Sequence, residues 1–392
     1  MTQSQTLTRS PANRIALLGT YPPTECGIAT FTKSLATAYR ANGVDVDIVR
    51  LMNGDSTESP VEVAHEHNGA TDVETTAQIL NGYEQILIQH EFGIFDGQDG
   101  DEIIEILDRL EIPVTVVLHT VLTNPSLHQR EVMNHIVSKA HALITMTQAG
   151  KAKLIANYPV ATRKIHVIPH GSRTINKSVA SIRAKSQMQR PRILTWGLIG
   201  PGKGIEWAID ALAELKDEIP MPEYVIAGQT HPHVKMRSGE KYRDSLISRI
   251  NDHGLSESVT FIDHYLSDGE LDELITSADI VLLPYDSLEQ VTSGVLVEAL
   301  VAGIPIIATN FPHAREVLSD HGGILVKQRD PLAIALGIKA ILGSSIRANA
   351  MRQRLQRKGQ SFLWPAIGRK YLEIAHELNG AKYSNSSKTL VS

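Results

Sequence analysis

A single cysteine, Cys26, stands among 392 residues. That excludes an intrachain disulfide framework and a thiolate zinc cluster, and it fits a reducing compartment. No apolar run approaches the ~20 residues that cross a bilayer. The polar stretch from Met1 to Asn13 also lacks the core of a signal peptide. The expectation is a cytoplasmic chain with no transmembrane segment, peripheral contact with a membrane surface staying open. An excess of either charge is missing too. Lys and Arg number 38 against 43 Asp and Glu, a net of −5, so nucleic acid is not an expected partner. There is no short-period repeat and no low-complexity segment. What remains is ordinary for a folded protein, 42% apolar and 21% charged. At ~150 residues per domain the length suggests two or three domains.

Short apolar runs alternate with amphipathic stretches. Arg14–Gly19 reads as a first strand. Ile28 to Ala41 reads as a helix, with Ile28, Phe31, Leu35 and Ala38 on one face and Asn42-Gly43 as its stop. Further strands are predicted at Val44–Leu51, Gln85–Gln89, Val114–His119, His141–Thr145 and Lys164–Ile168. A polar stretch from about Ser172 to Gln189 reads as a linker. The alternation restarts at Arg192–Gly197, Glu223–Ala227, Ser258–Ile262, Asp279–Pro284, Ile304–Thr309 and Gly323–Val326. Continuous runs such as IVLL and IPII suit parallel strands covered on both faces. The fold class is therefore α/β, two successive doubly wound parallel-sheet units facing each other across a cleft. The boundaries are 1–175, a linker at 176–190, 191–360, a last helix over 364–378 and a tail without structure at 379–392.

Ligands of doubly wound sheets lie beyond the carboxyl ends of strands. Three loops there carry candidate chemistry. Gly197-Leu-Ile-Gly200-Pro-Gly202-Lys203-Gly204 follows a strand and opens a helix. Its glycines admit a phosphate, the helix N-terminus favours an anion and Lys203 adds a positive charge. A glycine-rich turn with a solvated lysine explains the same residues. Thr292, Ser293 and Gly294 precede a helix that carries Glu298, a carboxylate able to accept two hydroxyl hydrogen bonds. A capped helix with a half-exposed glutamate is the plainer alternative. Cys26-Gly27-Ile28 opens the first helix, with Cys26 read as a bystander. His90, His119 and His170 each end a strand at its carboxyl end. His231-Pro-His233 lacks a third metal ligand, and no metal site is expected. The pairs Asp45/Asp47 and Asp99/Asp101 read as a strand's polar face and as helix caps.

Taken in order, these segments resemble the glycosyltransferase family 4 enzymes, bacterial members of the retaining sugar transferases with two Rossmann-like domains, the GT-B architecture. The resemblance runs from Arg14 to about Leu378. It rests on CGIATFTKSLA, VTVVLHT, KIHVIPHG, GLIGPGKGIEWAIDAL and, most specifically, ADIVLLPY followed by SGVLVEALVAGIPIIAT. It implies an acceptor-side first domain completed by the Trp364 helix, and a donor-side second domain. It implies that Gly27, Gly200, Gly202, Thr292, Ser293 and Gly294 let backbone amides approach phosphate and sugar. Lys203 would neutralise the diphosphate, Glu298 would hold the ribose hydroxyls and His119 would contact the transferred sugar. The family's first motif glutamate falls on Gln290, and its phosphate-loop arginine on Leu198. Arg173 or Arg237 is then a candidate for the missing charge, and Thr230 and His231 are candidates to approach the donor.

The implied reaction moves a hexose from a nucleotide diphosphate sugar, GDP-mannose or a UDP-sugar, to a hydroxyl of a sugar or glycan. It proceeds with retention and without a metal or other cofactor, the departing phosphate taking the acceptor's proton. A sugar-nucleotide epimerase, a nicotinamide oxidoreductase and a non-catalytic nucleotide-sugar binder are the rival readings. Oligomeric state is not fixed by the sequence.

Overall fold

A computed structural model describes residues 14–52, 54, 57–176, 190–216, 220–287 and 292–389, side chains from 381 onward excluded. The apolar runs form two parallel sheets in two units. The first unit takes the chain to Met146, Gly150–Ile168 and the chain from Gly368 on; the second takes Thr147–Ala149 and Pro169–Ile367. The expected linker falls almost entirely on residues 177–189, outside the described residues.

In the first unit the chain runs β1 (Arg14–Gly19), α1 (Gly27–Ala41), β2 (Asp45–Leu51), β3 (Val63–His67), α2 (Val73–Leu80) and β4 (Gln85–His90). It continues through α3 (Glu102–Asp108), β5 (Val114–Leu118), α4 (Leu127–Lys139), β6 (Ala142–Thr145), α5 (Gln148–Asn157) and β7 (Ile165–Val167). The sheet order β3-β2-β1-β4-β5-β6-β7 reverses direction between β1 and β4. Strand β3 is absent from the sequence-based expectation. It is an edge strand, VAHEH, whose inward positions are His65 and His67 instead of aliphatics. Both imidazoles meet the Thr76 hydroxyl, at 3.0 and 2.8 Å.

The second unit runs β8 (Arg192–Trp196), α6 (Ile205–Ala213), β9 (Glu223–Ala227), α7 (Pro232–Ser238), α8 (Lys241–Asp252), β10 (Val259–Ile262), α9 (Asp268–Ser277) and β11 (Ile280–Leu283). It then passes through α10 (Gly294–Ala302), β12 (Ile306–Thr309), α11 (Pro312–Leu318), β13 (Gly323–Val326), α12 (Pro331–Leu342) and α13 (Ser345–Gly359). Helix α14 (Trp364–Thr389) begins here. The order β10-β9-β8-β11-β12-β13 reverses between β8 and β11. Alternate strand residues enter opposite layers. Ile193, Ile226 and Leu282 join one cluster with Ile209 and Ile338, while Leu194, Val225 and Val281 join another with Leu296 and Leu300. Each such fully buried aliphatic contributes about 1.5–3 kcal/mol of transfer free energy. That two-sided burial is why these strands are apolar at every position.

From Gly368, α14 packs on α1. A methyl group at Gly368 would come within 2.7 Å of the Ala38 Cβ, and the Tyr371 and Phe31 rings meet edge-on at 6.5 Å. The helix extends to Thr389, across much of the polar stretch expected to lack structure. A formed helix adds one hydrogen bond per residue as it propagates, so a polar composition alone does not stop it. Among the described residues no single helix is long and apolar enough to cross a membrane.

Candidate active site

The strand-order reversal between β8 and β11 places two loops side by side at the carboxyl ends of their strands. After β8 the chain turns through Gly197–Gly204 into α6, whose N-cap Gly204 brings no side-chain cap. Of the first-turn amides of α6, that of Trp207 donates to the Gly204 carbonyl at 3.1 Å and that of Ile205 meets the Tyr242 hydroxyl oxygen, which leaves the Glu206 amide to an anion. Gly204 sits at φ +65°, and a Cβ there would lie 2.0 Å from the Pro284 carbonyl oxygen at the end of β11. Only glycine permits this approach. Gly204→Ala should destabilise the second unit by about 2 kcal/mol, through left-handed strain and the clash. A denaturant midpoint equal to that of the parent would show that the loop relaxes freely. The two loops are also tied by the Asp286 and Ser287 amides, which donate to the Gly202 carbonyl at 3.1 and 3.4 Å.

Lys203 rises from this loop with its ammonium 4.7 Å above the centre of the Tyr285 ring. Among the described residues no carboxylate pairs with it. The ring face attracts the cation without neutralising it, by about 0.5–1 kcal/mol. Glu298 sits one turn into α10, and its Oε2 accepts the Trp196 indole N–H at 3.0 Å. Burial holds its carboxyl above the usual carboxylate range, the indole bond and Arg173 acting in the opposite direction. Neither Tyr285 nor Trp196 is among the residues expected from the sequence. The available signal was their position, each at the carboxyl end of an apolar strand.

At the start of α10 both polar groups of Ser293 are engaged. Its backbone N–H donates to His313 Nδ1 at 2.9 Å, and its hydroxyl caps the helix by accepting the Leu296 amide at 3.2 Å. Both groups are committed within the protein. The amides left by the helix geometry are those of Gly294 and Val295, its first two residues. Thr292 precedes them, half-buried. Gln290 lies outside the described residues.

Of the two candidates for the charge missing at Leu198, Arg173 is ion-paired and Arg237 is not, among the described residues. Arg173 Nη1 lies 2.5 Å from Asp272 and its Nε 3.4 Å from Asp268, so its charge is spent on those carboxylates. Arg237 is exposed on α7. The Thr230 hydroxyl donates to Glu240, and is braced by Arg243, whose guanidinium also reaches the Gly228 carbonyl at 3.0 Å and Asp263 at 2.7 Å. His231 caps α7 through its Nδ1, and burial together with His233 and Lys203 holds its imidazole below the usual range. The described loop thus brings together Lys203, Gly200, Gly202, Gly294 and Glu298, and adds Tyr285, Trp196 and His313.

The reversal between β1 and β4 makes the corresponding place in the first unit. His119 Nε2 lies 2.7 Å from Gln89 Oε1, and its ring meets Phe31 edge-on at 5.0 Å. His90 is fully buried, and burial pushes its imidazole down to about 3. Glu91 beside it accepts the Thr120 hydroxyl, and burial raises its carboxyl. Gly27 opens α1 with nothing within 4 Å of where a Cβ would stand. Cys26 is the N-cap of that helix, its sulfur accepting the Ala29 amide at 3.4 Å. Asp99 and Asp101, expected as caps, clasp instead the two ring nitrogens of His128 at 3.1 and 3.2 Å, and Asp101 makes no cap bond at α3. Asp47 pairs with Arg14 at 2.5 Å and accepts the Tyr83 hydroxyl at 2.9 Å. Among the described residues no three His, Cys, Asp or Glu side chains group as a metal site.

Comparison with known proteins covers both units. The family model described as glycosyl transferases group 1 matches residues 179–361, and that described as Glycosyltransferase Family 4 matches residues 26–174. A D-inositol 3-phosphate glycosyltransferase from Kineococcus radiotolerans is 26% identical over 298 residues, 68% of this chain and 66% of that protein. The chain thus spans slightly less than two thirds of that relative, and 52% of a relative of the same description from Salinispora tropica. Among solved structures, a sucrose-phosphate synthase from Thermosynechococcus elongatus superimposes with a TM-score of 0.76 at 18% identity, covering 94% of this chain and all of the other. An Anabaena protein in complex with UDP and glucose gives 0.71 at 18% identity, covering 92% of this chain and 99% of its own.

Proposed function

The chain belongs to the bacterial family 4 and group 1 glycosyltransferases of GT-B fold, and from that premise we propose that it moves a hexose from a nucleotide diphosphate sugar to a hydroxyl of a sugar, sugar phosphate or glycan. The observation that supports this most directly is Lys203, a cation without a carboxylate partner among the described residues, held over Tyr285 in the loop that opens α6. A diphosphate placed there meets a lysine and a helix N-terminus. These supply the positive field that a divalent cation would otherwise bring, so the reaction is proposed to be metal-independent.

In the proposed reaction the bond between the anomeric carbon and the departing phosphate oxygen breaks. A bond from the acceptor oxygen forms on the same face, giving retention. The acceptor's proton passes to the departing phosphate oxygen, so the step needs no protein base. Lys203 and the amides of Gly294 and Val295 stabilise the charge growing on the diphosphate. Glu298 receives the ribose hydroxyls on its carboxylate. In the first unit, His119 offers an imidazole held by Gln89 to a hydroxyl of the transferred sugar.

Ribose hydroxyls donate only to lone pairs and favour the ionised carboxylate, whereas burial favours the protonated one. Nucleotide affinity should therefore fall as pH is lowered through the raised Glu298 range. Glu298→Gln should bind a nucleoside diphosphate about tenfold more weakly and lose that pH dependence. Titration calorimetry giving identical affinities and profiles for variant and parent would make Glu298 a structural residue only.

The reading as a whole is tested by thermal shift with UDP, GDP, UDP-glucose and GDP-mannose, since a binder stabilises the native state by mass action. Binders then go forward as donors, with inositol phosphates and simple hexoses as acceptors. The relative described as an inositol 3-phosphate glycosyltransferase motivates that acceptor set. A shift with at least one nucleotide, followed by product formation, is expected. Tight nucleotide binding with no transfer to any acceptor would favour a non-catalytic binder.

A further inference from the structure

Two histidines hold the N-terminus of α10, His170 from the KIHVIPHG segment and His313, which no motif identifies. His313, on α11, is 1% exposed and its Nδ1 accepts the Ser293 backbone N–H at 2.9 Å. An accepting Nδ1 places the ring proton on Nε2, so this imidazole is neutral with a fixed tautomer. His170 meets the next residue, Gly294. A Cβ added to Gly294 would stand 3.1 Å from its Cε1 and Nε2 atoms, so the ring lies against the bare glycine backbone. His170 is itself anchored, its Nδ1 lying 2.6 Å from the Gly171 carbonyl oxygen. The Ser293 hydroxyl caps the Leu296 amide from inside the turn.

Three contacts therefore fix one short backbone segment, and one of them ties up the very amide that would otherwise compete for an anion. With the Ser293 N–H turned inward, the amides of Gly294 and Val295 are the ones the helix leaves to point outward. We propose that His313 is a positioning residue for the donor site: by accepting the Ser293 amide, with His170 packed against Gly294, it aims the first-turn amides of α10 at the diphosphate. The inference rests on the donor reading above. It assigns His313 no contact with the nucleotide and no proton transfer. Preorganisation of this kind matters because amides aimed in advance need no rearrangement as charge develops.

The test compares His313→Leu with His313→Asn. Leucine fills the space and removes the acceptor, leaving the Ser293 amide buried without a partner. Asparagine places its Oδ1 close to where Nδ1 stood and restores the acceptor. Affinities for UDP and GDP by calorimetry, kcat and KM for the donor, and melting temperatures are read for both. His313→Leu should weaken the bound nucleoside diphosphate and raise the donor KM by roughly tenfold or more, while His313→Asn stays within about twofold of the parent. Equal losses in both variants would show that the ring acts through packing alone and would overturn the proposal. So would parent-like affinity in His313→Leu. A parent protein that binds neither nucleotide would fail the donor reading itself, which separates that failure from this one.

Discussion

Lys203→Ala should lower kcat/KM for the nucleotide sugar by roughly 10²-fold or more, the size seen when one preorganised donor to a developing oxyanion is removed. The argument starts from local geometry. Gly204 lets the chain turn so tightly against the Pro284 carbonyl that Lys203 is presented at the mouth of the β8–α6 loop. Its ammonium then rests over the Tyr285 ring, with no carboxylate among the described residues to quench it. Among the described residues three other cations of this unit are ion-paired, Arg173 to Asp272 and Asp268, Arg243 to Asp263, and Arg329 to Asp286. In the proposed reaction Lys203 would serve where an arginine at position 198 would have shared the charge. Most of the loss should appear in kcat, because the diphosphate gains charge as the glycosidic bond breaks. Lys203→Met, which keeps the stem and removes the charge, should behave like the alanine variant. Either variant turning over at the parent rate would remove the diphosphate from this loop.

Much of this arrangement is legible in the sequence because it is local. IVLL and IPII announce strands buried on both faces, and the glycines around Lys203 announce a turn that admits an anion. Glu298 stands out as a lone carboxylate in an apolar helix. What the sequence hides depends on contacts between distant segments. Ser293 meets His313 twenty residues away, and the indole that supports Glu298 is Trp196, on another strand. Arg173 reads as an available cation until α9 brings Asp268 and Asp272 to it. Strand β3 is hidden for another reason. Its inward side chains are histidines that meet Thr76, so no apolar alternation marks it.

Acid should unfold this protein early, and histidines set the onset. Burial holds His90 at about 3, His170 at about 4 and His313 at about 3, against an ordinary value of 6.5. These imidazoles are neutral in the fold and take up protons once the chain unfolds. Their folded values lie below the unfolded ones, so their contribution is fully present above about pH 6.5 and is lost as pH falls toward 3–4. At pH 5 the loss depends on the unfolded value alone, since the folded groups are still neutral there. It amounts to roughly 2 kcal/mol for each histidine, or roughly 6 kcal/mol for the three. That is comparable with the whole stability of many domains, about 5–15 kcal/mol. Glu91 and Glu298 work in the other direction, because their raised carboxyls favour the fold as protons are added, and they offset part of the loss. Ordinary surface carboxylates titrate mostly below this window. The urea midpoint should therefore drop steeply between pH 7 and pH 5. His170 and His313 both belong to the second unit, which should carry about two thirds of the histidine effect if the units melt separately. His313→Asn removes one of the three titrating groups while keeping the Ser293 acceptor, and should recover roughly 2 kcal/mol of the acid loss without changing its sign. A urea midpoint that stays flat from pH 7 to pH 5 would mean that these imidazoles are not held neutral by the fold.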